Sequence, residues 1–378
     1  MSEQDVMGDA IERLEWTERD EEPSPQKRWH QVTRRAALTG GAAGLAAFAL
    51  NACDIGGDDD DEAGAQGGGS SDVFGDQPNM RFVFVNHVTT NPFFVPTRYG
   101  AEDACKLLGC SYQWTGSESA NVNEMVNAFN SAISANADGI AVALTDLKAF
   151  NEPIQRALDA DIPVVGYNAD APDSGRLSYI GQDLFVSGQE MGTRIVDLVG
   201  EGDVALFIAT PGSLNIQPRI DGAIDTIKKS GSGITHDTIA TGAALPKELS
   251  TVDAYWLGHK ETKGMFAVDA GSTQAVAQVI QKYKLRDQDV KGGGYDLLAP
   301  TIELLSANQI DFTIDQQPYL QGFLPVFELF LYKASETLTG IADINTGLKF
   351  LDQETVQPYV ETESRYEGNS KAVGVTKA

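Results

Sequence analysis

RFVFVNHVTTNPFFVPT, residues 81–97, decides how the chain is read. Its opening run of large β-branched and aromatic residues reads as a strand. Asn91-Pro92 is a turn and helix-start signal, and the spacing predicts a helix from about Phe93 to Leu108, stopped by Gly109. Strand followed at once by helix is half of a βαβ unit. Phe93 and Phe94 are the anomaly within it. Consecutive residues of a helix point in different directions, so both rings cannot face one core. At least one has another task at the mouth of the strand.

The same beat runs outward from this unit. SYQWTG (111–116), GIAVAL (139–144) and IPVVGYN (162–168) read as strands, with helical patterns between them in VNEMVNAFNSAISAN (122–136) and AFNEPIQRALDAD (149–161). Pro153 is expected to break the second of these helices early. A further series places helices in residues 190–202, 218–233, 251–263, 273–283 and 299–308, alternating with strands in 203–210, 234–241, 264–270, 290–296 and 310–316. Strands and helices in strict alternation imply right-handed crossovers and parallel sheets covered by helices on both faces. The units are too many for one modest sheet. Two doubly wound α/β lobes are the economical solution, and 378 residues suffice for them.

The first eighty residues are not part of this pattern. Arg34-Arg35 precede a weakly apolar stretch, Ala36–Ala52, which is shorter than the roughly 20 residues of a comfortable membrane span and reads as the core of an export signal. The segment resembles a twin-arginine signal, and LNAC at residues 50–53 resembles a lipobox with Cys53 as the lipidated residue. A signal without lipid and an uncleaved anchor helix are the alternatives. Residues 54–78, acidic and rich in Gly and Ser, read as a disordered tether. Cys105 and Cys110 flank the end of a helix and read as small apolar core residues, although an export compartment permits a disulfide.

A net charge of −26 disfavours nucleic acid and anionic lipid surfaces, which require clustered Lys and Arg. No dinucleotide-binding, P-loop or nucleophile-elbow motif occurs, and no Cys/His cluster has zinc spacing. KGGGYD at residues 291–296 is a weak phosphate signal. Of four histidines, only His87 lies at a predicted strand end. In doubly wound sheets the functional residues gather at the carboxyl ends of strands. Here those ends are rich in Asn, Asp, Gln, Thr and Arg, with Phe93, Phe94 and Tyr167 beside them. That inventory suits a neutral polyhydroxylated ligand: amides and carboxylates pair with hydroxyls while aromatic faces cover C–H surfaces.

TNPFFVPTRYGAEDACKLLG, NADGIAVAL, IPVVGYNAD, YIGQD, PRIDGA, GMFAVDA, GGGYD and FTIDQQPYLQG, in this order, resemble the ribose/galactose-type periplasmic binding proteins of ABC importers over about Met80 to Tyr359. The resemblance implies two lobes, residues 79–182 with 318–344 and residues 183–317 with 345–367, followed by a flexible tail at 368–378. Crossings near Gln182, Gln316 and Asn345 would form the hinge. It implies ligand contacts from Asn91, Phe93, Phe94, Arg219, Asp296 and Gln316, with His87, Asn168 and Asp269 at positions where this chain departs from the ribose pattern. An Arg-Asp pair of that pattern is replaced by Asn168-Ala169, which argues against ribose and leaves another monosaccharide, a polyol or a related small polar ligand. It further implies a monomeric, non-catalytic, cofactor-free receptor anchored by lipid outside the cytoplasm. Such a receptor would deliver ligand to a permease whose partner ATPase hydrolyses ATP. A sensor feeding a membrane signalling protein would share these features. Each site residue has a plainer reading as well: the phenylalanines as loop packing, Arg219 with Asp296 as an ion pair, and Asp269 as a helix cap.

Overall fold

The computed structural model describes residue 74 and residues 77–335 and 341–377. The twin-arginine stretch, Cys53 and nearly all of the expected tether lie outside them.

The first sheet contains β1 (Arg81–Asn86), β2 (Ser111–Gly116), β3 (Gly139–Val142), β4 (Val164–Tyr167), β5 (Ser178–Gly181) and β11 (Ile344–Asn345). Their spatial order is β2-β1-β3-β4-β5-β11, and every pairing is parallel. The second sheet contains β6 (Glu201–Ile208), β7 (Gly233–Ala240), β8 (Gly264–Ala267), β9 (Lys291–Tyr295), β10 (Phe312–Asp315) and β12 (Lys349–Leu351). Its order, β7-β6-β8-β9-β10-β12, repeats the first. Only β12 runs antiparallel, against β10. Both strand orders reverse beside the first strand of the lobe, the crevice where doubly wound sheets bind ligands.

Alternation along β6 shows why both faces must be covered. Val204, Leu206 and Ile208 belong to one apolar cluster with Met191, Ile195 and Ile220. Ala205 and Phe207 belong to the opposite one, with Val252, Trp256 and Val276. In the first lobe Phe82, Phe84 and Val85 are fully buried with Ile140, Val142 and Val165. At roughly 1.5–3 kcal/mol for each large apolar side chain, these two-sided strands anchor each lobe.

The helices are α1 (Val95–Leu108), α2 (Val122–Ser134), α3 (Asn151–Asp159), α4 (Leu184–Val199), α5 (Gln217–Ser230), α6 (Leu245–Gly258), α7 (Ala270–Tyr283), α8 (Ala299–Ser306), α9 (Leu320–Ser335) and α10 (Gln357–Val360). A 3-10 turn, Pro92–Phe94, precedes α1, so the two phenylalanines fall in the helix entry and not in the helix expected from Phe93. Pro153 does not break α3, because it occupies the first turn, where backbone N–H groups have no intrahelical partner to lose. Helices α4 and α6 begin at Leu184 and Leu245, ahead of the apolar periodicity at residues 190 and 251. At α4 the cause is Asp183, whose side chain caps the Val186 N–H.

The chain passes between sheets after β5, after β10 and between β11 and β12. After β12, Val356 joins the second lobe's core, and Tyr359 on α10 packs against it. The chain then returns to the first lobe. The Arg365 guanidinium pairs with Glu102 at 2.7 Å and Asp103 at 2.9 Å on α1 and lies 4.1 Å over the Tyr99 ring. The expected flexible tail contains a strand, β14 (Val375–Lys377), paired with β13 (Thr362–Ser364). Phe74, in the expected tether, stands edge-on to Phe330 at 5.4 Å. Cys105 and Cys110 are free thiols, Cys105 on the buried face of α1.

Candidate ligand-binding cleft

The carboxyl ends of the two sheets face one another across a cleft. One pocket in it is lined by His87, Asn91, Phe93, Phe94, Asn168, Arg219, Asp269, Asp296 and Gln316, all nine residues singled out from the sequence. Val88, Asn215, Ile216 and Ala270 complete the lining.

The first lobe contributes an aromatic and amide wall. Asn91 caps the 3-10 turn by accepting from the Phe93 N–H at 2.9 Å. This cap turns the Phe93 and Phe94 rings edge to face, 4.7 Å apart. Phe94 also stands at right angles to the His87 ring, 5.3 Å away. Trp114 lies behind, stacked on Phe84 at 5.8 Å with its indole N–H donated to the Thr89 carbonyl, and so supports the wall. His87 bonds through Nε2 to Asn215 of the opposite lobe at 3.2 Å. Burial pushes its imidazole down to about 4, so it is neutral near pH 7 and accepts from the Asn215 amide. A second link across the mouth runs from the Leu214 N–H to the Thr145 carbonyl at 3.2 Å.

Charge enters from the second lobe. Arg219, in the first turn of α5, is 2% exposed. Its guanidinium lies 4.1 Å over the Tyr295 ring and donates to the Val268 carbonyl at 2.9 Å and to Gln182 Oε1 at 3.2 Å. Gly188 on α4 makes this position possible: a Cβ there would lie 2.2 Å from the Arg219 carbonyl oxygen. Asp296 accepts from the hinge amide Gln316 Nε2 at 2.7 Å. Burial raises its carboxyl to about 7, and the nearby Arg219 charge opposes that shift. Arg219 and Asp296 form no direct ion pair among those of the described residues, so the plainer reading of the two as a structural pair does not describe them. Asp269 does cap α7, accepting from the Ser272 N–H at 2.9 Å, and also takes the Ala209 N–H at 2.9 Å. It lines the cleft as well.

Buried polar atoms without a partner concentrate here. His87 Nδ1, Asn168 Oδ1, Arg219 Nε and Glu248 Oε2 are among them, and all four residues line the cleft. Buried polar groups are nearly always satisfied, so such a group of exceptions around one space calls for a polar molecule. The hinge is wired into the same site. Gln182 bonds both Arg219 and the Gly347 carbonyl, while Gln321 joins Asn168 to Gln316.

Comparison with known proteins decides what this architecture is. The periplasmic binding protein domain matches residues 82–334. The chain belongs to that family. A periplasmic binding protein is an extracytoplasmic carrier of ligand and not an enzyme. Over 312 residues the chain is 50% identical to the xylose/arabinose-binding protein XylF of Sulfolobus acidocaldarius, covering 79% of this chain and 77% of that protein. Among solved structures, a solute-binding protein of an ABC transporter from Burkholderia graminis, in complex with D-arabinose, aligns with a TM-score of 0.69 at 27% identity. That alignment covers 74% of this chain and 97% of the other. GanP, a glucose-galactose binding protein of Geobacillus stearothermophilus, aligns with a TM-score of 0.67 at 25% identity, covering 74% and 99% of the two chains.

Two cleft residues escaped the sequence reading. Asn215 lies within a recognised strand-end loop, where its amide could have been weighed. Glu248 sits in the first turn of α6 amid LPKELS, which reads as an ordinary solvated helix face, and gives no such signal.

Proposed function

We propose that this chain captures a neutral pentose of the xylose or arabinose type between its lobes and, once closed, presents it to an ABC permease whose partner ATPase supplies the energy. The observation that carries the reading is the set of unpartnered buried atoms on His87, Asn168 and Arg219, ringed by Phe93 and Phe94. Sugar hydroxyls donate and accept, so they answer an imidazole N–H, an amide oxygen and a guanidinium alike, while the rings cover the sugar's C–H face. The xylose/arabinose relative supports the ligand class. In this reading His87, Asn91, Phe93, Phe94, Asn168, Arg219, Asp269, Asp296 and Gln316 contact or frame the sugar.

Closure follows from the division of the site between lobes. A sugar touching both walls binds the closed state better than the open one, and that difference in affinity shifts the population. Lipid attachment at Cys53, with residues 54–78 as a spacer, would hold a monomeric carrier at the outer face of the membrane.

Isothermal titration of the domain from residue 74 onward with xylose, arabinose, ribose, glucose, galactose and inositol tests the assignment. Binding of xylose or arabinose with ribose the weaker pentose is expected. No response to any of the six overturns the sugar reading. Mass spectrometry of membrane-extracted protein reads the lipid on Cys53.

A further inference from the structure

Glu248 is a buried carboxyl group in the first turn of α6. It is 3% exposed, lines the cleft beside Asp269, and its Oε2 meets no hydrogen-bond donor. Room for it is made by Gly271, at the start of α7: a Cβ at that position would lie 1.8 Å from Glu248 Oε2. Leu245, in the same helical turn, packs against the first lobe's core. Glu248 therefore stands at the closing surface.

Glu248 and Asp269 line the same small space, the Glu248 carboxyl lying against Gly271 in the first turn of the helix that Asp269 caps. A buried carboxylate with an oxygen that meets no donor, beside a second carboxylate and with no ion pair to either among the described residues, is unfavourable, so one of the two holds a proton. Asp269 already accepts backbone N–H groups at both oxygens, from Ser272 to Oδ1 and from Ala209 to Oδ2, at the positive end of a helix. The ionised form thus belongs to Asp269 and the proton to Glu248. Burial, with the Asp269 charge adding to it, raises the Glu248 carboxyl far above the usual range. The other titratable group of this corner is His87, neutral across the cleft; Arg219 and Asp296 line the adjoining space that Asp269 also borders, and Lys247 is exposed beside Gly242.

We propose that Glu248 is a positioning residue for the ligand: when the cleft closes it takes up a proton, donates it to Asp269, and leaves that corner of the site a pure acceptor for neighbouring ligand hydroxyls. The inference rests on the pentose reading and narrows it. The ligand edge meeting this corner must bring donors, so a neutral sugar fits and the corresponding sugar acid, with a carboxylate there, is repelled.

Calorimetry in buffers of differing ionisation enthalpy tests this near pH 7. Wild type should bind xylose or arabinose with proton uptake and should bind xylonate at least about 100-fold more weakly. Glu248→Gln keeps a donor toward Asp269, so it should bind the pentose within about threefold of wild type and take up fewer protons. Glu248→Leu removes the donor and should bind at least about 30-fold more weakly, with no fall in the melting temperature of the unliganded protein. Wild-type affinity in Glu248→Leu, equal losses in both variants, or undiminished proton uptake in Glu248→Gln would each overturn the proposal. Should Glu248→Leu fail to fold, the proton count of Glu248→Gln decides alone. Should wild type bind neither pentose, the sugar reading falls while the pair is still read without ligand. The melting temperature of wild type should then drop more steeply than that of Glu248→Gln between about pH 6 and about pH 9, since a raised carboxyl loses its stabilising effect as pH rises; equal slopes overturn the pair.

Discussion

Asn168 and Asp296 occupy equivalent places in the two lobes. Each follows a buried tyrosine that ends the fourth strand of its sheet, Tyr167 in β4 and Tyr295 in β9. Each has a left-handed backbone, with φ of 63° and 77°. Asn and Asp are the side chains that best tolerate this conformation, so the backbone explains the pair of residue types but not the choice between them. The choice divides the cleft. The first lobe presents an amide among Phe93, Phe94 and a neutral His87, while the second presents Arg219, Asp269 and Asp296. In the proposed site one lobe would supply a surface to lie against and the other charge-assisted bonds. The same scaffold, used twice, has been given two different jobs.

Removing the second lobe's cation should break this division most severely. Arg219→Ala is expected to weaken pentose binding at least about 100-fold in calorimetry, and Arg219→Lys should not restore it, because the guanidinium fork and its stack on Tyr295 are lost. Next comes the neutrality of the first lobe. His87 is pushed down to about 4 where it lies buried between the lobes and takes its ordinary value near 6.5 when exposed. Its contribution to closure is therefore full above about pH 6.5 and lost as pH falls toward 4. At pH 5 the loss is about 2 kcal/mol, or roughly 30-fold in affinity. His87→Gln should remove most of that acid sensitivity, seen by titrating both proteins at pH 7 and pH 5; parallel profiles would exclude the histidine as its source. Asp296→Asn makes the two strand ends chemically alike at no backbone cost. About tenfold weaker binding with an unchanged melting temperature is expected. The smallest effect belongs to the apolar wall, where Phe93→Leu should cost about fivefold, the worth of one aromatic face over C–H groups.

Much of this was legible in the chain itself because the governing patterns are local. The period of alternation, the Asn91-Pro92 helix entry and the polar strand ends placed the cleft, and the family resemblance singled out within it the nine residues that the fold gathers around one pocket. What was not legible depends on contacts between distant segments. Glu248 looks solvated in LPKELS and is buried only because the start of α6 meets the first lobe and Gly271 leaves a notch. The early start of α4 depends on the Asp183 cap, a cue that lies outside the apolar period. Pro153 misled because its effect depends on which helical turn it occupies, and helix starts are the least certain feature of any sequence pattern.

The return of the chain from Tyr359 to Arg365 has a mechanical consequence. Five residues, 360–364, separate a side chain packed on the second lobe's core from one pinned to α1 of the first. Fully extended they reach at most about 20 Å, and three of them already lie in the extended strand β13. The two lobes are thus held by a short leash as well as by three hinge crossings. Its slack sets the widest angle to which the jaws can part before Arg365 must release Glu102 and Asp103, so the entrance available to a ligand is measured by the length of the C-terminal chain.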